Sequence, residues 1–181
     1  MPAGARKVSV VGVPMDLGAS KLGASGGPGA IRRAELVPAL TRLGLAVEDR
    51  GNVAVPERPP KPGSAKLRYK DPILKVCRDL CDEVYAVHKE GRTPVVLGGD
   101  HALAMGSVAG TSKFYAQKRQ DIGLIWVDAH GDINTPATSP SGNIHGMPVA
   151  HLLGLGDKDL AGIGGKGPKV KARNVVLVGI R

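Results

Sequence analysis

The sequence predicts an α/β fold in three layers, a mainly parallel sheet with helices on both faces. Three observations predict it. Short runs rich in Val, Ile and Leu recur along the chain: VSVVGV (8–13), TPVVLGG (93–99), IGLIWVDAH (122–130) and NVVLVGI (174–180). Stretches with helical periodicity lie between several of them, and strand-helix alternation is the mark of parallel strands joined by crossovers. The runs are also apolar nearly throughout rather than alternating, as in strands covered on both faces.

Each element has its own local reason. Residues 8–13 are β-branched and stop at Pro14, so they read as the first strand. A turn-rich loop over 15–29 leads through Pro28 into a helix predicted over 30–43, and 45–47 read as a short strand. Residues 56–63 are loop. Asp71 is placed to cap a helix with Pro72 at its first position, and Ile73, Leu74, Val76, Cys77, Leu80, Cys81, Val84, Tyr85 and Val87 give it an apolar stripe. The strand over 93–99 turns on Gly98-Gly99 and enters a helix after Asp100-His101. The strand over 122–130 runs into a polar loop, and 174–180 form the last strand.

Composition narrows the function classes. The 181 residues suit one domain, 1–181, with 42% apolar and 23% charged residues, which is ordinary globular usage. Aromatics are only 3%, against 26 Gly and 14 Pro, so the core rests on aliphatic side chains. No apolar run approaches the roughly 18–20 residues of a membrane span. The net charge of +9 raises nucleic acid as a partner, but the basic residues are scattered and lack interleaved aromatics, so no nucleic-acid partner is expected. Cys77 and Cys81 lie four apart on one helix face and read as reduced packing residues. No export signal opens the sequence, and the expected setting is the cytoplasm.

The chemistry concentrates at two strand ends, where ligands bind in parallel sheets. Asp128, His130 and Asp132 alternate, so an extended backbone continuing through them would project all three to one side. His101, at the end of the neighbouring run, adds a second imidazole. Carboxylates and imidazoles without thiolate suit Mn²⁺, Fe²⁺, Co²⁺ or Zn²⁺. Asp100 reads either as an ordinary capping or solvated loop residue or as part of this constellation, and His88 and His151 read as structural or surface residues.

GGDHALAMGS (98–107) and VDAHGDINTP (127–136) closely resemble the metal-binding motifs of the arginase or ureohydrolase family. SPSGNIHGMPVAHLLG (139–154) resembles the arginase branch, and GVPMDLGASKLGASGGPGAIR (12–32) is similar to the family's first loop. The resemblance covers nearly the whole chain. It implies a fold of the arginase type and hydrolysis of L-arginine to L-ornithine and urea by a metal-activated hydroxide at a binuclear Mn²⁺ site. It implies His101 as ligand of one metal, His130 of the other, Asp128 as a bridge and Asp132 as a further ligand of the first. It assigns His145 to proton shuttling and Asn134, Ser141 and Asn143 to the α-carboxylate and α-amino group of the substrate. A homo-oligomer is common among relatives.

The family pattern continues beyond the last strand, with a further Asp-X-Asp motif, an acidic residue just after that strand and a glutamate for the guanidinium group. Residues 1–181 do not reach them, so the sheet is expected to be incomplete at the C-terminal side, with an apolar strand at an open edge, lowered stability or self-association. Three further readings follow: an agmatinase or other guanidino-substrate hydrolase, a metallophosphatase, and a metal-binding fragment without turnover. The Asn134, Ser141 and Asn143 set favours an α-amino-acid substrate over agmatine. The order of the Asp-X-His and Gly-Asp motifs disfavours the phosphatase.

Overall fold

The computed structural model describes residues 4–181. In chain order the strand β1 (Lys7–Val13) is followed by the short helices α1 (Gly27–Arg33) and α2 (Leu36–Arg42), the strand β2 (Ala46–Asn52) and the long helix α3 (Lys70–Lys89). The strand β3 (Thr93–Gly98), helix α4 (Ala104–Ala116) and strand β4 (Leu124–Val127) come next. Two short helices, α5 (Pro148–Leu152) and α6 (Lys158–Ala161), precede the strand β5 (Val175–Val178).

The strands form two parallel sheets, β2-β1-β3 and β4-β5. β1 is covered on both faces. Val11 and Val13 join the core under α3, while Val8 and Val10, of opposite parity, are buried on the other side, where Gly12 meets Arg32 of α1. The predicted α/β class with parallel pairing is what the structure has. The sheet is divided, however: β3 and β4 share no hydrogen-bonded ladder, and a cavity of about 750 Å³ lies between them, lined by Pro94, Val96 and Leu124 and roofed by Val108 and Thr111 of α4.

The single helix expected over 30–43 is two. The chain breaks at Ala34-Glu35, where Glu35 takes φ 61°, and resumes as α2. Pro38 supplies the reason: it lacks an N–H, and its ring would strike the carbonyl four residues back, so it is tolerated only in a helix's first turn. β2 is longer than the predicted 45–47 because parallel pairing with β1 carries it through polar residues. Arg32 binds Asp49, and Arg50 binds Glu83 and Glu90, which holds these charges along the edge.

α3 starts one residue before Asp71. Tyr69, at φ 56°, is the residue flanking the helix, so Asp71 and Pro72 are its second and third residues rather than cap and first. Tyr69 is pinned there: its N–H donates to the Pro62 carbonyl at 2.7 Å, and the Arg58 guanidinium lies 4.6 Å from its ring centroid. Asp71 still favours the helix N-terminus by its charge. The apolar stripe is buried as predicted from Ile73 to Val87, except that Tyr85 is half-buried and bonds Gln117. Cys77 and Cys81 are buried and free, and burial pushes the Cys77 thiol up to about 12. α4 crosses α3 at Gly106 and Gly110, where any Cβ would come 2.5 Å from the carbonyls of Cys77 and Cys81. Buried His151 bonds the Met147 carbonyl and the Asp157 N–H, and half-buried His88 stacks on Phe114, both outside the site.

β4 and β5 are shorter than predicted. Their outward residues Ile125, Val127, Val176 and Val178 are exposed. No helix among the described residues is long and apolar enough to cross a membrane.

Candidate metal centre

The ends of β3 and β4 deliver the metal-type side chains. After β3 the chain turns at Gly98-Gly99, where a Cβ on Gly99 would fall 1.9 Å from the Met15 carbonyl oxygen. Asp100 then caps a 3₁₀ turn (His101–Leu103) through the Ala102 N–H. Asp100 thus has the capping role that the sequence left open for it. His101 leaves this turn with its ring stacked on Trp126 of β4, centroids 4.3 Å apart.

His101, Asp128 and Asp132 converge, each offering one ligand atom, all within 4.8 Å of one another. His101 Nδ1 lies 3.0 Å from Asp128 Oδ2 and 3.1 Å from Asp132 Oδ2. The expected route to this convergence is corrected. The strand ends at Val127, the chain bends through 128–130, and Asp132 sits at φ 46°, so the extended backbone does not persist. The turn, rather than strand alternation, brings the two carboxylates together. It also leaves His130 outside the three-residue group, largely exposed, with Nδ1 3.3 Å from Asp128 Oδ1. The two oxygens of Asp128 thus face two different imidazoles.

The electrostatics follow from these contacts. The His130 backbone N–H, 2.8 Å from Asp128 Oδ1, is the largest influence lowering the Asp128 carboxyl below its ordinary range, and His101 adds to it. The hydrogen bond to Asp132 raises the His101 imidazole, against its burial. A hard divalent cation fits this donor set of imidazole nitrogen and carboxylate oxygen.

A cavity of about 570 Å³ opens over these residues and is lined by His101, Asp128, His130, Asp132, Asn134, Ser141, Asn143 and His145 among others. Every residue singled out for the site in the sequence therefore faces one space. The polar wall is held from behind. The Asn134 N–H donates to the Gly146 carbonyl at 3.2 Å and Thr138 Oγ1 to the Asn134 side-chain oxygen at 3.1 Å. Ser141 Oγ accepts the Asn143 N–H, and Asn143 Nδ2 donates to Ser20 Oγ at 2.7 Å. His145 sits on a 3₁₀ turn (Ile144–Gly146) whose His145 N–H donates to the Gly18 carbonyl at 3.2 Å.

Sequence reasoning missed Trp126, Gly18 and Ser20. Trp126 carried only the signal of an aromatic side chain inside the run that leads to Asp128. Gly18 and Ser20 carried none beyond lying in a turn-rich loop.

With this geometry in place, the likenesses become specific. The family model described as Arginase family matches residues 6–181. An arginase from Brevibacillus brevis is 47% identical over 176 residues, which is 97% of this chain and 58% of that protein. The native structure of the Bacillus caldovelox arginase superposes with a TM-score of 0.90 at 44% identity, over 97% of this chain and 58% of that one. An Entamoeba histolytica arginase solved in complex with L-ornithine gives 0.88 at 31% identity, over 98% of this chain and 59% of that one. The chain thus spans about 58% of the length of the curated relatives it matches. The fold, the motifs at its strand ends and these relatives agree: the chain belongs to the arginase family.

Proposed function

We propose that the site is of arginase type, hydrolysing L-arginine to L-ornithine and urea with Mn²⁺ as its metal. The observation that carries this reading is the convergence of His101, Asp128 and Asp132 at the floor of a cavity whose walls bear Asn134, Ser141, Asn143 and His145. The structure of an arginase in complex with L-ornithine supports it from outside this chain.

His101, Asp128 and Asp132 would hold one cation. His130 would hold a second, with Asp128 between the two because its oxygens face both imidazoles. Divalent cations there supply Lewis acidity and bring the pKa of water toward neutrality. The remaining work belongs to the chain. Asn134, Ser141 and Asn143 present neutral donors and acceptors for the α-carboxylate and α-amino group, directly or through water. Asn143, tied to Ser20, holds one such group in a fixed direction. His145 hands a proton to the departing amine, a task that suits an imidazole near neutral pH. This reading carries L-arginine as the small-molecule partner, a cytoplasmic setting and association into a homo-oligomer.

Urea release from L-arginine and from agmatine, with and without Mn²⁺ and beside Asp132→Ala, tests it. Manganese-dependent urea from L-arginine that Asp132→Ala removes supports the proposal. Preference for agmatine moves the assignment to the neighbouring substrate class. Manganese binding without urea from either leaves a metal-binding fragment and overturns turnover by this chain.

A further inference from the structure

Asp100 stands next to the candidate metal cluster but is not among the residues lining the cavity, and it is 6% exposed. One carboxylate oxygen accepts the Ala102 N–H and the other the Gly18 N–H, both at 2.8 Å. Its own N–H donates to the Met15 carbonyl at 2.7 Å. The loop after β1 therefore closes onto the end of β3 at this one side chain. Gly18 is buried and packed so tightly that a Cβ there would come 2.6 Å from Asp100 Oδ1 and 2.9 Å from the Ala102 Cβ. The same Gly18 accepts the His145 N–H on its carbonyl, and Ser20, two residues on, accepts the Asn143 amide.

Two chain segments far apart in sequence thus meet at one buried carboxylate, and the Gly18 carbonyl and Ser20 hydroxyl tie a third to them. Each of its oxygens accepts one backbone N–H, so the carboxylate is held as a structural acceptor. Water cannot replace these bonds without opening the loop. Arg58 braces the loop's outer side through the carbonyls of Asp16 and Ala19 but reaches neither His145 nor Asn143.

We propose that Asp100 is a positioning residue: by clasping Gly18 it sets the His145 turn and the Asn143 amide against the metal side of the cavity. This rests on the arginase-type reading for its consequence in catalysis, though not for the clasp itself. Asp100→Asn keeps an oxygen for the Ala102 N–H but turns an N–H donor toward that of Gly18. Gly18→Ala pushes the loop off from the opposite side.

The test is residue-resolved amide exchange and imidazole ¹H–¹⁵N spectroscopy on the ¹⁵N-labelled chain, with Mn²⁺ affinity read by electron paramagnetic resonance. In both variants we expect exchange at the Gly18 and His145 amides to rise at least about tenfold relative to Leu80. The His145 ring signals shift, while the Mn²⁺ Kd moves by less than about threefold. Unchanged exchange at His145 overturns the proposal. So does an equal rise at Leu80, which marks general destabilisation, or a loss of Mn²⁺ affinity as large as that of His101→Ala, which would make Asp100 a prop for the ligand alone. If Asp100→Asn does not fold, Gly18→Ala decides by the same readings. A wild-type chain without urea release strikes the arginase-type reading and leaves the exchange result standing.

Discussion

β1 and β4 are both short, largely aliphatic strands and end in different surroundings. Val10, Val11 and Val13 of β1 are at most 1% exposed, whereas Ile125 and Val127 of β4 are each 73% exposed. β1 has a parallel neighbour on both edges and cover on both faces; β4 has one neighbour, β5. An apolar run therefore sets strand identity, and burial is a property of the neighbours. The metal cluster straddles the two halves, with His101 from the buried one and Asp128 and Asp132 from the bare one.

The contrast can be broken by mutation. Leu80→Ala, in the closed core under α3 and α4, should cost about 2–5 kcal/mol in urea unfolding. Val127→Thr on the open sheet should stay within about 0.5 kcal/mol. Equal losses would mean that β4 is covered in solution.

The metal should narrow the contrast. At a hundredfold excess over its Kd, Mn²⁺ is expected to add about 2.7 kcal/mol of stability and to slow amide exchange in β4 and β5. Asp132→Ala should remove both effects, and an undiminished thermal shift in that variant would detach the cluster from metal binding.

A smaller effect tests the close crossing on the buried side. Gly110→Ala drives a Cβ toward the Cys81 carbonyl and should cost about 1–3 kcal/mol by denaturant titration. A neutral result would show that the two helices can spread.

The smallest effect is pH-dependent. Burial holds the His151 imidazole below its ordinary pKa, so the unfolded chain takes the proton first. Its contribution to stability is complete above about pH 6.5 and is lost as the pH falls, levelling off below the folded value. His101, raised by Asp132, acts in the opposite sense: its contribution is complete below about pH 6.5 and lost as pH rises through its folded value. The difference between wild type and His151→Asn isolates the first. A difference that does not change between about pH 7.5 and 5.5 would place His151 in solvent.

Much of the fold was legible because its signals are local. The Val8 to Val13 run and the α3 stripe from Ile73 to Val87 can each be read within one element. The break at Glu35 was missed, although Pro38 carried its signal, since a proline cannot sit inside a continuous helix. For the candidate site the sequence offered residue types and their spacing but not their geometry. His101, Asp128, His130, Asp132, Asn134, Ser141, Asn143 and His145 do line one cavity. The alternation expected to align Asp128, His130 and Asp132 fails at the bend after Val127, which sends His130 to the rim. Asn143 to Ser20, His145 to Gly18 and His101 to Trp126 are contacts between distant segments, and no spacing along the chain encodes them.

What the sequence determined by itself was the class of fold and the chemistry at the strand ends. Strand and helix periodicity are properties of a few neighbouring dihedrals, and ligand chemistry is a property of side-chain type. What only the tertiary structure decided was which strands are covered, which three metal-type side chains converge and how one buried carboxylate ties the first loop to the end of β3. Burial and convergence depend on which surfaces meet, and that is settled only when segments separated by tens of residues pack together.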